Sequence, residues 1–287
     1  MPRSLLAILL AVLAIGVAAC GDDDSSTVSG SANAEATATP AADQCATDQL
    51  QLKTAGTLTV GTDKPAYPPY YEDDDPSNGK GFESAVAYAV AKQLGLDVKW
   101  IVVPFNKSFA PGGKDFDLDI NQISINSKRA ERVDFSDPYY TASQAVIALK
   151  DSSAAGAASL ADLKDAKIGV QIGTTSLDAV NETIQPSSQP QVFNDSNDTV
   201  RALKTKRVEA IVTDLPTAFY LTAAEVPEAK IVGQFAAPGG DQWGLLLEKD
   251  SKLTDCVNQA VKKLADAGEL KRLQDQYMGG EAAPELN

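Results

Sequence analysis

From Gly56 onward, short apolar runs alternate with amphipathic helical patterns, and this alternation constrains the fold of the 287-residue chain more than any other feature. Residues 58–62 read as a strand. Residues 82–94 place Phe82, Val86, Val90 and Leu94 on one helical face, with Gly95 as the stop. Residues 99–103, 118–125, 168–172 and 208–213 read as further strands. Helical patterns cover 199–206, 252–267 and 269–277. Such a series implies an α/β architecture with mostly parallel sheets. The small-residue stretch 151–159 interrupts it, which suggests two lobes; on periodicity alone the last helices fit either one.

Composition removes several function classes. Lys plus Arg is 25 against 39 Asp plus Glu, a formal net charge of −14. That balance argues against a nucleic-acid partner, because phosphate contacts need a basic patch. The chain has no histidine. Ser-His-Asp and Cys-His nucleophile arrangements and His-ligated metals are therefore excluded. Three cysteines make neither a disulfide-dense scaffold nor a four-cysteine zinc site. No cofactor or metal is expected.

The N-terminus reads as an export signal. Arg3 precedes an apolar run over 5–19, shorter than the roughly 20 residues that span a bilayer. The run ends Val17-Ala18-Ala19-Cys20, which resembles a bacterial lipobox. Residues 1–19 are then a lipoprotein signal peptide and Cys20 is the lipidated N-terminus. Residues 20–44 are small, polar and acidic and read as a disordered tether. Export places the remaining cysteines, Cys45 and Cys256, in an oxidising compartment, where they are expected to pair. The bond would close a loop of about 210 residues, worth about 5 kcal/mol at most in the loop-entropy model.

Four features could carry chemistry. Residues 61–71, GTDKPAYPPYY, follow a strand end with an aromatic, proline-stiffened loop, where ligands of α/β sheets sit; the same tyrosines could equally pack on their own core. Ser124 lies late in a strand and Arg129 near a helix start, and a guanidinium there suits a carboxylate. Taken alone, Arg129 is better explained as a solvated surface residue. Gly173-Thr174-Thr175 joins a strand to a helix whose N–H groups suit an anion, or is an N-cap only. Asp214 ends a strand, where a carboxylate can hold an ammonium group or cap the next helix. Together Arg129, Ser124 and Thr175 supply donors, and Asp214 with the backbone near Gln122 supplies acceptors. A free α-amino acid carries both complements.

The runs GTLTVGTDKPAYPPYY, GKGFESAVAYAVAKQLG, SINSKRAERVDFSDPYY, KIGVQIGTTS and VEAIVTD resemble, in order and spacing, the family 3 solute-binding proteins of amino-acid ABC importers. The resemblance implies the type II periplasmic-binding-protein fold, two α/β lobes joined by two hinge strands. The expected division is a first lobe over 45–142, a second over 143–237 and a C-terminal return to the first over 238–287. Cys45–Cys256 would then lie within one lobe. By the same resemblance Arg129 binds the α-carboxylate, assisted by Ser124 and Thr175. Asp214 binds the α-ammonium with Gln122 and Ser124, Tyr67 and Phe105 sandwich the side chain, and Asp63 makes a polar contact to it. The implied partners are a free, polar amino acid, an ABC permease and ATPase, and the membrane through the N-terminal lipid, for a monomeric, extracytoplasmic receptor.

The sequence departs from that family at Asp119, Asn121 and Gln122. Asp119 must find a partner or face the cleft, since an unpaired aspartate in a buried strand is costly. Asp63 with Asp119 would suit a cationic ligand side chain, and Asn121 with Gln122 an amide. Two other functions fit the same fold. A cyclohexadienyl-type dehydratase would use Asp63, Asp119 or Glu83 as its acid-base group, and a ligand-sensing module would have no transport role. The reading adopted is a receptor without enzymatic activity.

Overall fold

The computed structural model describes residues 44–279 and 282–287. The expected signal peptide, Cys20 and nearly all of the tether lie outside these residues. Two five-stranded sheets organise the chain. The first is built from β1 (Thr57–Thr62), β2 (Asp97–Val102), β3 (Leu118–Asp119), β4 (Val133–Thr141) and β10 (Gln242–Glu248), in the order β2-β1-β3-β10-β4. The second is built from β5 (Gln144–Leu149), β6 (Ile168–Gln171), β7 (Gln191–Phe193), β8 (Ala210–Asp214) and β9 (Ala229–Phe235), in the order β7-β6-β8-β5-β9. In each sheet a parallel three-strand block, β2-β1-β3 or β7-β6-β8, meets an antiparallel pair, so the sheets are mixed and not mostly parallel as expected.

The chain crosses between the sheets from β4 to β5 and again from β9 to β10. The crossings lie side by side, with Ala142 N donating to Asp241 O at 2.8 Å. The junction therefore lies before β5, not in the small-residue stretch 151–159. There Ser153–Gly156 forms a 3₁₀ turn that buries Ala154 and Ala155 against the second sheet.

Helices cover the sheets as the apolar stripes require. α1 (Phe82–Leu94) packs with α7 (Thr254–Asp266) and α8 (Glu269–Tyr277) on the first sheet, around Leu58, Val60, Leu118, Trp243 and Leu245. The short helices α2 (Phe105–Ser108) and α3 (Ser127–Ala130) stand at the ends of its strands. α4 (Thr175–Ala179), α5 (Ser196–Lys204) and α6 (Leu215–Tyr220) follow β6, β7 and β8. Cys45 and Cys256 are bonded, with Cα atoms 5.3 Å apart, tying the start of the described chain to α7. Among the described residues no helix is long and apolar enough to cross a membrane.

Two further expectations need correcting. The strand expected over 118–125 has only two residues in β3. Gln122 takes a left-handed conformation (φ 49°), which ends the extended run, and Ser124 returns only as an isolated bridge to Trp243. The C-terminal return to the first lobe also stops short of Asn287. Residues 282–287 lie along β9 of the second sheet: Gln234 N donates to Pro284 O at 2.7 Å, and Leu286 N to Gln234 O at 2.8 Å. Leu286 is buried in the second core. Gly233 makes room for it, since a Cβ there would stand 2.6 Å from both Leu286 Cγ and Pro284 O.

Candidate functional site

The ends of β1, β3, β6 and β8 open into one cleft between the sheets. Its empty volume is about 940 Å³, including solvent at the mouth. Asp63, Tyr67, Phe105, Gln122, Ser124, Thr175 and Asp214 line it, so seven residues singled out in the sequence converge. The eighth, Arg129, lies behind this lining. It is buried, its Nη1 donates to Ser124 O at 2.6 Å, and its Nη2 crosses to Gly173 O at 2.9 Å. The guanidinium stacks 4.6 Å from the Phe109 ring centre and 5.5 Å from that of Phe105.

Asn126 positions Arg129 by capping α3, its side chain accepting from Arg129 N at 2.9 Å. Burial lowers the guanidinium pKa to about 10, while Asp241, Asp178 and Asp214 pull it the other way. Among the described residues no carboxylate lies within ion-pair distance of it. A guanidinium has five N–H donors, so this one retains capacity for an anion after its two carbonyl bonds.

The acidic side of the cleft is a pair. Gln144 Nε2 donates to Asp214 Oδ1 at 2.7 Å and to Asp241 Oδ2 at 2.5 Å. Ser124 Oγ donates to the other Asp241 oxygen, and Thr175 Oγ to Asp241 Oδ2 at 3.4 Å. Gln144 is held in turn by Ser176, whose hydroxyl donates to Gln144 Oε1 at 2.6 Å. Burial, and next the charge of Asp241, push the Asp214 carboxyl well above the usual carboxylate range. Asp241 is also raised by burial, with Ser124 and Gln144 opposing. Two desolvated acids sharing one amide hold less than two full charges until a cation reaches them.

Contacts across the cleft hold the sheets close together. Tyr67 OH donates to Asn197 Oδ1 at 2.5 Å, and its ring lies 5.3 Å from that of Tyr220. The Tyr70 and Thr217 hydroxyls are 2.9 Å apart, and those of Ser124 and Thr175 3.2 Å. Asp63 is fixed by backbone donors, Lys64 N to Oδ1 at 2.7 Å and Phe105 N to Oδ2 at 3.0 Å, while burial raises its pKa. Thr174, beside the expected anion contact, is the N-cap of α4, its hydroxyl accepting from Leu177 N.

Glu83 and Asp119 are fully buried but do not line the cleft. Glu83 accepts from Gln122 N at 2.7 Å, from the Gln122 amide and from Tyr139 OH. This clamp occupies the Gln122 amide nitrogen, against the expectation that it would serve an amide ligand. Asp119 Oδ2 accepts from Ser108 at 2.9 Å, and Oδ1 has no hydrogen-bond partner among the described residues. A Cβ on Gly61 would meet Oδ2 at 2.6 Å, so glycine there makes room for the buried acid. Burial pushes both acids up to about 7.

Residues 58–280 match the family model described as bacterial extracellular solute-binding proteins, family 3. The chain belongs to this family. It is 29% identical over 290 residues to the arginine-binding extracellular protein ArtP of Bacillus subtilis, covering 98% of this chain and 100% of that one. It is 28% identical over 233 residues to the L-cystine-binding protein TcyJ of Escherichia coli K12, covering 80% and 86%. Among solved structures, an ancestral arginine-binding protein bound to glutamine superposes with a TM-score of 0.69 at 31% identity, covering 79% of this chain and all of that one.

In this family 3 chain the residues not singled out by sequence are Asp241, Gln144 and Ser176. Gln144 carries a faint signal, as the one polar residue opening the apolar run of β5. Asp241 carries none, because it reads as part of the Gly239-Gly240 turn.

Proposed function

We propose that this chain is an extracytoplasmic receptor that binds a free, polar amino acid between its lobes and delivers it to an ABC importer, tethered by a lipid on Cys20. The first lobe spans 45–142 and 238–279, and the second 143–237 with the C-terminal tail. The observation that carries the reading is the placement of opposite charges around one cleft. A buried guanidinium without an ion-pair partner among the described residues stands behind the lining, and two carboxylates sharing one amide, half-buried Asp214 in the lining and buried Asp241 behind it, supply the opposite charge. An α-amino acid supplies the missing counter-charge to each.

Arg129, with Thr175 and Ser124, takes the α-carboxylate. Asp214 and Asp241 take the α-ammonium, with Gln122 O as a further acceptor. Tyr67 and Phe105 flank the side chain. Arg129 and Ser124 belong to one lobe and Thr175 and Asp214 to the other, so ligand favours the closed arrangement by binding both. Relatives named as arginine- and cystine-binding proteins support the ligand class. Of the three acids an enzymatic reading would use, Asp63 alone lines the cleft. That favours binding without turnover.

A thermal-shift screen of the twenty amino acids with ornithine and citrulline tests the proposal. A ligand specific to the folded state raises the melting temperature by mass action. The reading expects a clear rise with one or a few amino acids and none in Arg129→Ala. No rise with any compound would refute it.

A further inference from the structure

Among the described residues, the cleft lining holds one buried side-chain polar atom without a hydrogen-bond partner. Asn121 lines the cleft and is 8% exposed, and its Nδ2 is buried without a hydrogen-bond partner among the described residues. Its position follows from the register of the first sheet. β1 and β3 are parallel, with Val60 beside Leu118 and Gly61 beside Asp119, and Ile120 N continues the ladder to Gly61 O at 3.0 Å. Carried two residues further, the register sets Asn121 beside Asp63 at the carboxyl end of both strands. The pair thus offers an unsatisfied donor next to an acceptor whose two oxygens are held in place by Lys64 N and Phe105 N. The Gln122 amide nitrogen does not compete as a donor, because it is bonded to Glu83. Across the cleft Gln171 Oε1 already accepts from Ser196 at 2.8 Å. Asp63 and Asp214 are the charged residues of the lining.

We infer that Asn121 and Asp63 together select the ligand side chain, and that its far end carries both a hydrogen-bond acceptor and an N–H donor. A carboxamide, a ureido group or a second amino-acid head group meets this description. A guanidinium or alkylammonium end has donors only and leaves Asn121 Nδ2 unpaired. A carboxylate end has acceptors only and meets the charge of Asp63. Unpaired buried groups are what make such sites discriminate. The inference rests on the amino-acid reading and names the class within it.

Calorimetric titration of the purified chain with glutamine, citrulline, cystine, arginine, lysine, glutamate and leucine tests it. One of the first three should bind about tenfold or more tighter than each of the last four. In Asn121→Ala that preference should fall about tenfold, while the ligand-free melting temperature does not drop, because an unpaired amide is being removed. A merely structural asparagine would lower the melting temperature and leave the preference intact. Tightest binding by arginine, lysine, glutamate or leucine, or an unchanged preference in Asn121→Ala, overturns the inference but not the receptor. Absence of binding by every amino acid overturns both.

Discussion

Two pairs of desolvated acids stand near the cleft, and the contrast between them separates scaffold from binding site. Glu83 and Asp119 lie behind the wall of the first lobe. Asp214 stands where β8 ends, and Asp241 where the second crossing ends, just before β10. Burial raises the proton affinity of all four. Their partners differ. Glu83 is bonded by Gln122 and Tyr139, and Asp119 by Ser108, all from the same lobe. Asp241 is bonded by Ser124 from one lobe and Thr175 from the other, and both members of its pair feel the Arg129 charge. Burial and a raised pKa alone do not mark a ligand site. Donors from both lobes and a nearby cation, beside an acid that lines the cleft as Asp214 does, mark one.

The contrast can be broken first at the charged clamp. Arg129→Ala should weaken amino-acid binding at least about a hundredfold, because the ligand carboxylate loses its charged donor. Asp214→Asn should weaken it comparably from the ammonium side, measured by calorimetry. Its ligand-free melting temperature should hold or rise, since one of two repelling carboxylates is gone.

Glu83 should behave in the opposite way. Glu83→Ala leaves the Gln122 N–H, the Gln122 amide and Tyr139 OH without their acceptor. A loss of about 3 kcal/mol in unfolding free energy is expected by denaturant titration. Stability unchanged in this variant would show that the clamp is not structural.

A further effect is on pH dependence. The folded-state pKa values of Glu83 and Asp119 are raised to about 7 from ordinary values of 4.5 and 3.8. A raised folded pKa favours the folded state at low pH. This contribution is complete below about pH 4 and is lost as pH rises through about 7. The ligand-free protein should therefore melt higher at pH 5 than at pH 8. Asp119→Asn should flatten part of that slope, the full size being about 1.4 kcal/mol for each tenfold weakening of the acid on folding. An identical slope in the variant would place the dependence elsewhere.

The lobes were legible in the sequence because β1, β2, β3, β6 and β8 and the longer helices α1, α5, α7 and α8 carry readable patterns, whereas β4, β5, β7, β9 and β10 were not read. The cleft was legible because most of its residues sit at strand ends, where the architecture places ligands: Asp63 after β1, Ser124 after β3, Thr175 after β6 and Asp214 at the end of β8. What escaped was set by contacts between distant segments. Asp241 and Gln144 meet only because two crossings run side by side, across 97 residues of sequence. The left-handed turn at Gln122 depends on a carboxylate 39 residues earlier. The tail over 282–287 finds β9 through the space at Gly233, and nothing local in its sequence announces that pairing.

The central claim is that Asp214 and Asp241 await an ammonium while Glu83 and Asp119 do not. The most direct test is to titrate the wild-type chain with its tightest amino acid and with the same molecule lacking the α-ammonium group. Binding at least about a hundredfold weaker for the deaminated compound, with the difference largely abolished in Asp214→Asn, is the predicted result. Equal affinity for the two compounds would contradict it.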